Sequence, residues 1–413
     1  MAFRTSAPLT EEIAERINWL GQIGRTDNGG VTRLLYSDSW LKAQTAVKKK
    51  MEEMGFSARF DDVGNVFGRV EGTEERDRVI LTGSHIDTVV DGGKYDGAFG
   101  VLAAMIAVSR LKQEYGAPKK TIETVALCEE EGSRFHLAFW GSGSITGRYQ
   151  LNDATTVTDG QGVTLETAMR LMGFGQGKYP AARREDIACF LETHIEQGQI
   201  LEHEHLAWAP VSHIVGMKRM IIHLSGESNH AGTTPMTGRR DALYAASQMI
   251  SDVISHAKEQ NNGLVATVGQ ISIQPNVGNV IPGGCTFALD VRHHEYEVLH
   301  DFCTQELENF RVIAEKEAVD LDSKTWLDDA PVKMDPAMTQ RHVSLARKAG
   351  IPFKTMVSGA GHDSQIFGTY CPTAMMFVPS HNGISHSPKE FTKLEDLETG
   401  VRMLMKILRE MAY

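Results

Sequence analysis

The run TVALCEEEGSRF, residues 124–135, sets three adjacent carboxylates, Glu129, Glu130 and Glu131, at the end of an apolar stretch. Like charges at the mouth of a core strand repel one another and lose hydration, so the pattern calls for a cation there. Three other segments carry cation-ligating side chains. GSHIDTVVDGGKYDGAFG holds His85 and Asp87, two apart and so on one side of extended chain, with Asp96 beyond a glycine-rich turn. LETHIEQG holds His194, and NGISHSP holds His386. Singly, each is also what a polar loop, a helix cap or a hydrogen-bonded histidine would show. Together they offer imidazole with carboxylate, which suits zinc, manganese or cobalt better than calcium. Five ligands are too many for one tetrahedral ion and natural for two ions sharing a carboxylate.

Such ligands need rigid strand ends to hold them. RVILTGSHID reads as a strand running into a loop. GAFGVLAAMIAVSRLKQEY reads as a helix with Asp96 placed to cap its start, and TIETVALC and IACFLETHI as further strands. Near-continuous apolar strands separated by helices imply a mostly parallel sheet covered on both faces, with its site at the strand ends. From residue 214 the texture changes. MKRMIIHLSG alternates, LVATVGQISIQP and CTFALDVRH supply strands, and helices are expected from Arg239 to His256 and from Glu297 to Glu317. That order suits a small α+β, ferredoxin-like sandwich. TAMMFVPS and a helix from Leu394 to Met411 restore the first texture. The expected fold is therefore α/β, with residues 1–213 and 331–413 forming one domain and 214–330 inserted into it.

The length of 413 residues fits two domains, and 41% hydrophobic with 23% charged residues is ordinary globular composition. A net charge of −11 argues against nucleic acid or a membrane surface as partner. MAFRTSAPLTEEIAERINWL lacks the apolar core of a signal peptide. The five scattered cysteines, without a CxxC, read as buried thiols in a reducing compartment, and the cytoplasm is the expected location. The histidines of VRHHEYE and EHEHLAW read as exposed.

GSHIDTVVDGGKYDGAFG, EEEGSRF, LETHIEQG, GESNHAGTTPM, GAGHDSQIF and NGISHSP together resemble, in order and over nearly the whole chain, the metal-dependent amidohydrolase branch of the M20 peptidase family. That branch contains allantoate amidohydrolases, N-carbamoyl-L-amino-acid hydrolases and β-ureidopropionases. The resemblance implies a dinuclear-metal, exopeptidase-like catalytic domain. His85, Asp96 and His194 would hold one divalent ion (Mn2+ or Zn2+, with Co2+ or Ni2+ acceptable), and Asp96, Glu131 and His386 a second. Glu130 would be the general base, and Asp87 would orient the His85 ring. Glu129 is expected to point away. His230 would stabilise the oxyanion, in its own or a partner subunit's site. Asn279 and Arg292 would clamp a substrate carboxylate, with Gln197 and Gly361 as further substrate contacts. The resemblance also implies a homodimer through the inserted domain. Because clamp and ligands would lie on different domains, hinges are expected near residues 211–216 and 329–334. GGVTRLLYSDSW resembles the allantoate amidohydrolases more than the carbamoylases, so hydrolysis of allantoate is the expected reaction. N-carbamoyl-L-amino acids are the alternative substrates. An aminopeptidase or dipeptidase is more remote, because peptidases of the wider family commonly carry an acid where this chain has His194.

Overall fold

The structure is a computed structural model, and it describes residues 8–413. The chain divides into two compact units, one running to Ser212 and resuming at Lys333, the other spanning His213–Val332.

The first unit is built on a nine-stranded sheet. In sheet order, Lys120–Leu127, Glu75–His85, Ile187–Ile195 and Thr373–Val378 lie side by side at its centre and run parallel. Val66–Val70 flanks them antiparallel on one side, with Ser57–Phe60 antiparallel to it in turn, and Ala209–Ile214 flanks them antiparallel on the other. The central strands are apolar on both faces because helices cover both. Every residue of Thr373–Val378 is buried, as is every residue of Lys120–Leu127 after the first. Helix Ala98–Tyr115 is buried continuously from Ala98 to Ser109. It packs on Glu75–His85 and against the C-terminal helix Leu394–Ala412, whose buried Leu397, Val401, Leu404 and Leu408 follow helical spacing.

Parallel strands end on the same edge. The register pairs His85 with Leu127 and Phe377 with His194. The sheet therefore brings His85, the acidic triplet, His194 and the loop after Val378 to one edge, although residues 85 and 386 are far apart in the chain.

The expected helix cap is not made. The residue before Ala98 is Gly97, at φ 59°, and no side chain caps the helix. The Asp96 carboxylate is drawn instead to histidines, and a Cβ on Gly97 would lie 2.4 Å from the His85 ring. Only glycine fits both the left-handed backbone and that close approach.

The second unit is a four-stranded antiparallel sheet in the order Asp320–Asp329, Gly216–Ser225, Gly284–His293, Val265–Gln274. With helices Ala242–Gln260 and Tyr296–Lys316 this is the ferredoxin-like arrangement. The strand Gly284–His293 alternates buried and half-buried residues, as a sheet with one covered face requires. That alternation corrects the reading of His293 as exposed. It is 1% exposed and bonds to the backbone of Glu295 and Asn262. Of the cysteines, Cys371 is only half-buried, and all five are free thiols.

Candidate metal centre

Asp96 is the hub of the site. Its Oδ1 lies 3.2 Å from His194 Nε2 and 3.8 Å from His85 Nε2, and its Oδ2 lies 3.3 Å from His386 Nε2. His386 Nε2 is also 3.4 Å from Glu131 Oε2. Two groups of potential ligands result, His85–Asp96–His194 and Asp96–Glu131–His386, each with donor atoms within 4.8 Å of one another. They share Asp96, as two ions bridged by one carboxylate would require.

The ring nitrogens are poised for coordination. His85 Nδ1 faces Asp87 Oδ1 at 3.1 Å and the Asp87 carbonyl at 3.2 Å, both acceptors, so Nδ1 carries the proton. His194 Nδ1 likewise donates to the Ile195 carbonyl at 2.9 Å, while its Nε2 accepts from the Gly97 N–H at 3.1 Å. Burial works against a proton on either ring, but Asp87 beside His85 and Asp96 beside His194 raise both above the ordinary imidazole value, so an ion at Nε2, the atom aimed at Asp96, would displace a proton.

Asp87 does more than orient a ring. Its Oδ1 accepts the backbone N–H of Glu130 at 3.1 Å and its Oδ2 that of Glu131 at 3.2 Å. One buried carboxylate thus fixes both the His85 imidazole and the backbone of the acidic triplet. Glu129 is buried and accepts the Gly132 N–H, closing the turn after the strand. Burial pushes the Glu130 carboxyl well above the usual carboxylate range. The His85 charge opposes this and Glu131 and Asp363 add to it. Burial, with Asp96 adding, raises Glu131 to about 7. Burial would also raise Asp96, but the adjacent His194 and His386 rings carry it well below its ordinary value.

The donor set fits borderline divalent cations: three imidazoles, a carboxylate common to both groups and a second carboxylate, with no thiolate among these residues. A third group, Glu192–His194–His362, has matching spacing but spent donors. Glu192 Oε1 accepts from Ser84 Oγ at 2.7 Å, its Oε2 from Ser364 N and Oγ at 2.9 and 2.6 Å, and His362 Nε2 bonds Ser358 Oγ at 2.9 Å.

Gln197 belongs to the same cluster. Its Nε2 donates to Asp96 Oδ2 at 2.9 Å, and its Oε1 is buried without a hydrogen-bond partner. An orphaned buried acceptor is costly unless a ligand satisfies it. A Cβ on Gly361 would approach the Phe139 ring at 3.0 Å, so that glycine's close neighbour within the chain is an aromatic ring.

His230, Asn279 and Arg292 lie in the second unit. His230 Nδ1 accepts the N–H groups of Gly232 and Thr233 at 3.0 and 3.1 Å. The neutral ring therefore carries its proton on Nε2, the form that can donate to an oxyanion. The carbonyl of Asn279 accepts from Ala231, which ties its turn to the His230 strand. Arg292 is committed to Asp290, with Nε at 2.8 Å, and Asp290 is shared with Arg219.

Two contributors carried little sequence signal. Arg33, fully buried, donates through Nε to the Ile86 carbonyl at 2.6 Å and so holds the chain between His85 and Asp87. Burial lowers its pKa to about 10. Glu390 accepts the N–H groups of Tyr95 and Asp96. A lone arginine in VTRLLY and a glutamate in SPKE look like surface residues in a sequence.

The fold and site define a metal-dependent hydrolase class, and residues 81–410 match the model of peptidase family M20/M25/M40. The chain belongs to this family. It is 48% identical over 401 residues to the allantoate amidohydrolase of Bacillus subtilis (strain 168), covering 97% of each chain. It is 34% identical over 401 residues to the N-carbamoyl-L-amino-acid amidohydrolase of Paenarthrobacter aurescens, again covering 97% of each. Among solved structures, an amidase of the hydantoinase/carbamoylase family from Burkholderia multivorans superposes with a TM-score of 0.92 at 32% identity, covering 98% of each chain.

Proposed function

We propose that this chain hydrolyses a ureido C–N bond, converting allantoate and water to ureidoglycine, ammonia and carbon dioxide. The observation that carries this is the pair of ligand groups sharing Asp96, with the desolvated Glu130 carboxylate in the adjoining acidic triplet. His85, Asp96 and His194 would hold one divalent ion and Asp96, Glu131 and His386 the other, manganese or zinc by donor type, with cobalt or nickel tolerated. When bound, the pair supplies Lewis acidity and lowers the pKa of water at the site.

The chain's own groups do the remaining work. Glu130 takes a proton from the attacking water on a carboxylate oxygen and returns it to the leaving nitrogen, a transfer favoured by a carboxyl whose pKa burial has raised. Asp87 keeps Glu130 and the His85 ring in register through the hydrogen bonds described above. The orphaned Gln197 Oε1 is an acceptor suited to a ureido N–H. His230 Nε2–H is assigned to the developing oxyanion. Arg292 and Asn279 are assigned to the substrate carboxylate, with Arg292 exchanging part of its bond to Asp290 for the incoming anion. Gly361 is assigned to the substrate wall. The higher identity to an allantoate amidohydrolase than to a carbamoylase favours allantoate over N-carbamoyl-L-amino acids.

Two copies are proposed to pair through the second unit. Its edge strand Val265–Gln274 exposes Val265 and Ile271, about half of each side chain, and an unpaired apolar edge invites a second strand. Five free thiols support a reducing cytoplasmic setting. The deciding experiment is ammonia release from allantoate, an N-carbamoyl-L-amino acid and a dipeptide, after chelation and after restoring Mn2+ or Zn2+. Turnover of allantoate above the others, lost on chelation and restored by metal, is expected. Dipeptide preference or metal-independent turnover would overturn the reading.

A further inference from the structure

We infer that Glu390 is a positioning residue that sets the geometry of the Asp96–Glu131–His386 ligand group; the inference rests on the two-ion reading above. Glu390 is 5% exposed. Its Oε1 accepts the backbone N–H of Tyr95 at 2.9 Å and of Asp96 at 3.1 Å. Its Oε2 lies 2.8 Å from Ser385 Oγ, which is itself 2.9 Å from Asp96 Oδ2. One carboxylate therefore fastens the loop that presents the bridging Asp96 to the loop that presents His386, across 295 residues of chain. His386 is held at φ 54°, a left-handed conformation that a non-glycine residue keeps only when its surroundings over-determine it. The Ser385–Glu390 contact supplies that constraint one residue away. Gly93 shows how closely the parts fit: a Cβ there would lie 2.0 Å from Glu390 Oε1 and 2.5 Å from Oε2. Glycine at 93 is what lets the loop close over the carboxylate.

The test is Co2+ titration of demetallated full-length protein by equilibrium dialysis, with the visible d–d spectrum as a second readout, on wild type, E390A, E390Q and G93A. Wild type is expected to take two ions. E390A should bind the second ion about tenfold or more weakly, with an altered spectrum at the second equivalent, and the first, which shares only Asp96 with the loop Glu390 holds, less severely. E390Q should stay close to wild type, since its amide oxygen still accepts both N–H groups. G93A should behave like E390A with the carboxylate intact, and it decides alone if E390A does not fold. If E390A or G93A binds both ions with wild-type affinity and spectrum, whatever its melting temperature, the positioning role is wrong. A wild type that binds one ion overturns the two-ion reading as well.

Discussion

Glu130 and Asp87 are both acids beside the His85 ring, yet their surroundings give them different tasks. Asp87 is engaged in holding structure: it accepts from His85 Nδ1 and from two backbone N–H groups, three of the roughly four acceptor positions a carboxylate has. No such bonds hold the Glu130 carboxylate, and burial raises its pKa, so it is free to accept a proton. The two substitutions should therefore separate. Glu130→Gln is expected to leave metal content at the wild-type level while kcat falls by about 10²–10⁴. A variant that keeps wild-type turnover would put the base elsewhere. Asp87→Ala should release both the ring and the triplet backbone, lowering metal affinity by about 10–100-fold as well as kcat. Metal titration followed by single-turnover kinetics at saturating metal distinguishes the two patterns. Equal metal affinity in wild type and Asp87→Ala would reduce Asp87 to a bystander.

At the scale of elements, helix Pro336–Lys348 offers a pH test remote from the metal centre. His342 on it is 2% exposed, its Nδ1 has no hydrogen-bond partner, and burial lowers its pKa to about 4. The folded chain thus holds His342 neutral between pH 6.5 and 4 while the unfolded chain protonates it. The unfolded state binds more protons in that window, so stability is intact above about 6.5 and falls as pH drops toward 4. The loss should reach on the order of 3 kcal/mol. Denaturant unfolding of demetallated wild type and His342→Leu across that range checks it, and parallel curves for the two would refute it. Element types were legible because their periodicities are long: the helix expected to start at Leu394 runs Leu394–Ala412, and the one expected over 297–317 runs Tyr296–Lys316. The segments that carry the candidate ligands were legible because histidine and acid at strand ends stand out against apolar strands. What stayed hidden depends on three-dimensional partners. Asp96 read both as a helix cap and, through the resemblance, as the shared ligand, and only the proximity of His194 and His386 shows which of the two its carboxylate serves. Glu390 and Arg33 act through backbone groups distant in sequence, which no local pattern encodes.

At the scale of the whole molecule, the fold concentrates like charge at one sheet edge. Asp87, Asp96 and Glu129 are buried there, with Glu130 and Glu131 adjoining, in a chain already at −11. The proposed ions bind only where the strand ends are assembled, so each should stabilise the folded first unit by mass action, about 2.7 kcal/mol per site at a hundredfold excess over Kd. All five proposed ligands belong to that unit, and none to residues 213–332. Chelation should therefore act unevenly. Hydrogen exchange should accelerate around residues 85–97, 129–132, 194–197 and 385–390, where backbone N–H groups bond directly to ligands or to the carboxylates that hold them. The sheet Asp320–Asp329, Gly216–Ser225, Gly284–His293, Val265–Gln274 has its own core and should exchange at an unchanged rate. Returning Mn2+ or Zn2+ should reverse the local effect. Equal acceleration in both units would mean that the ions support the molecule generally, and no change at the four loops would mean that this cluster is not where they bind.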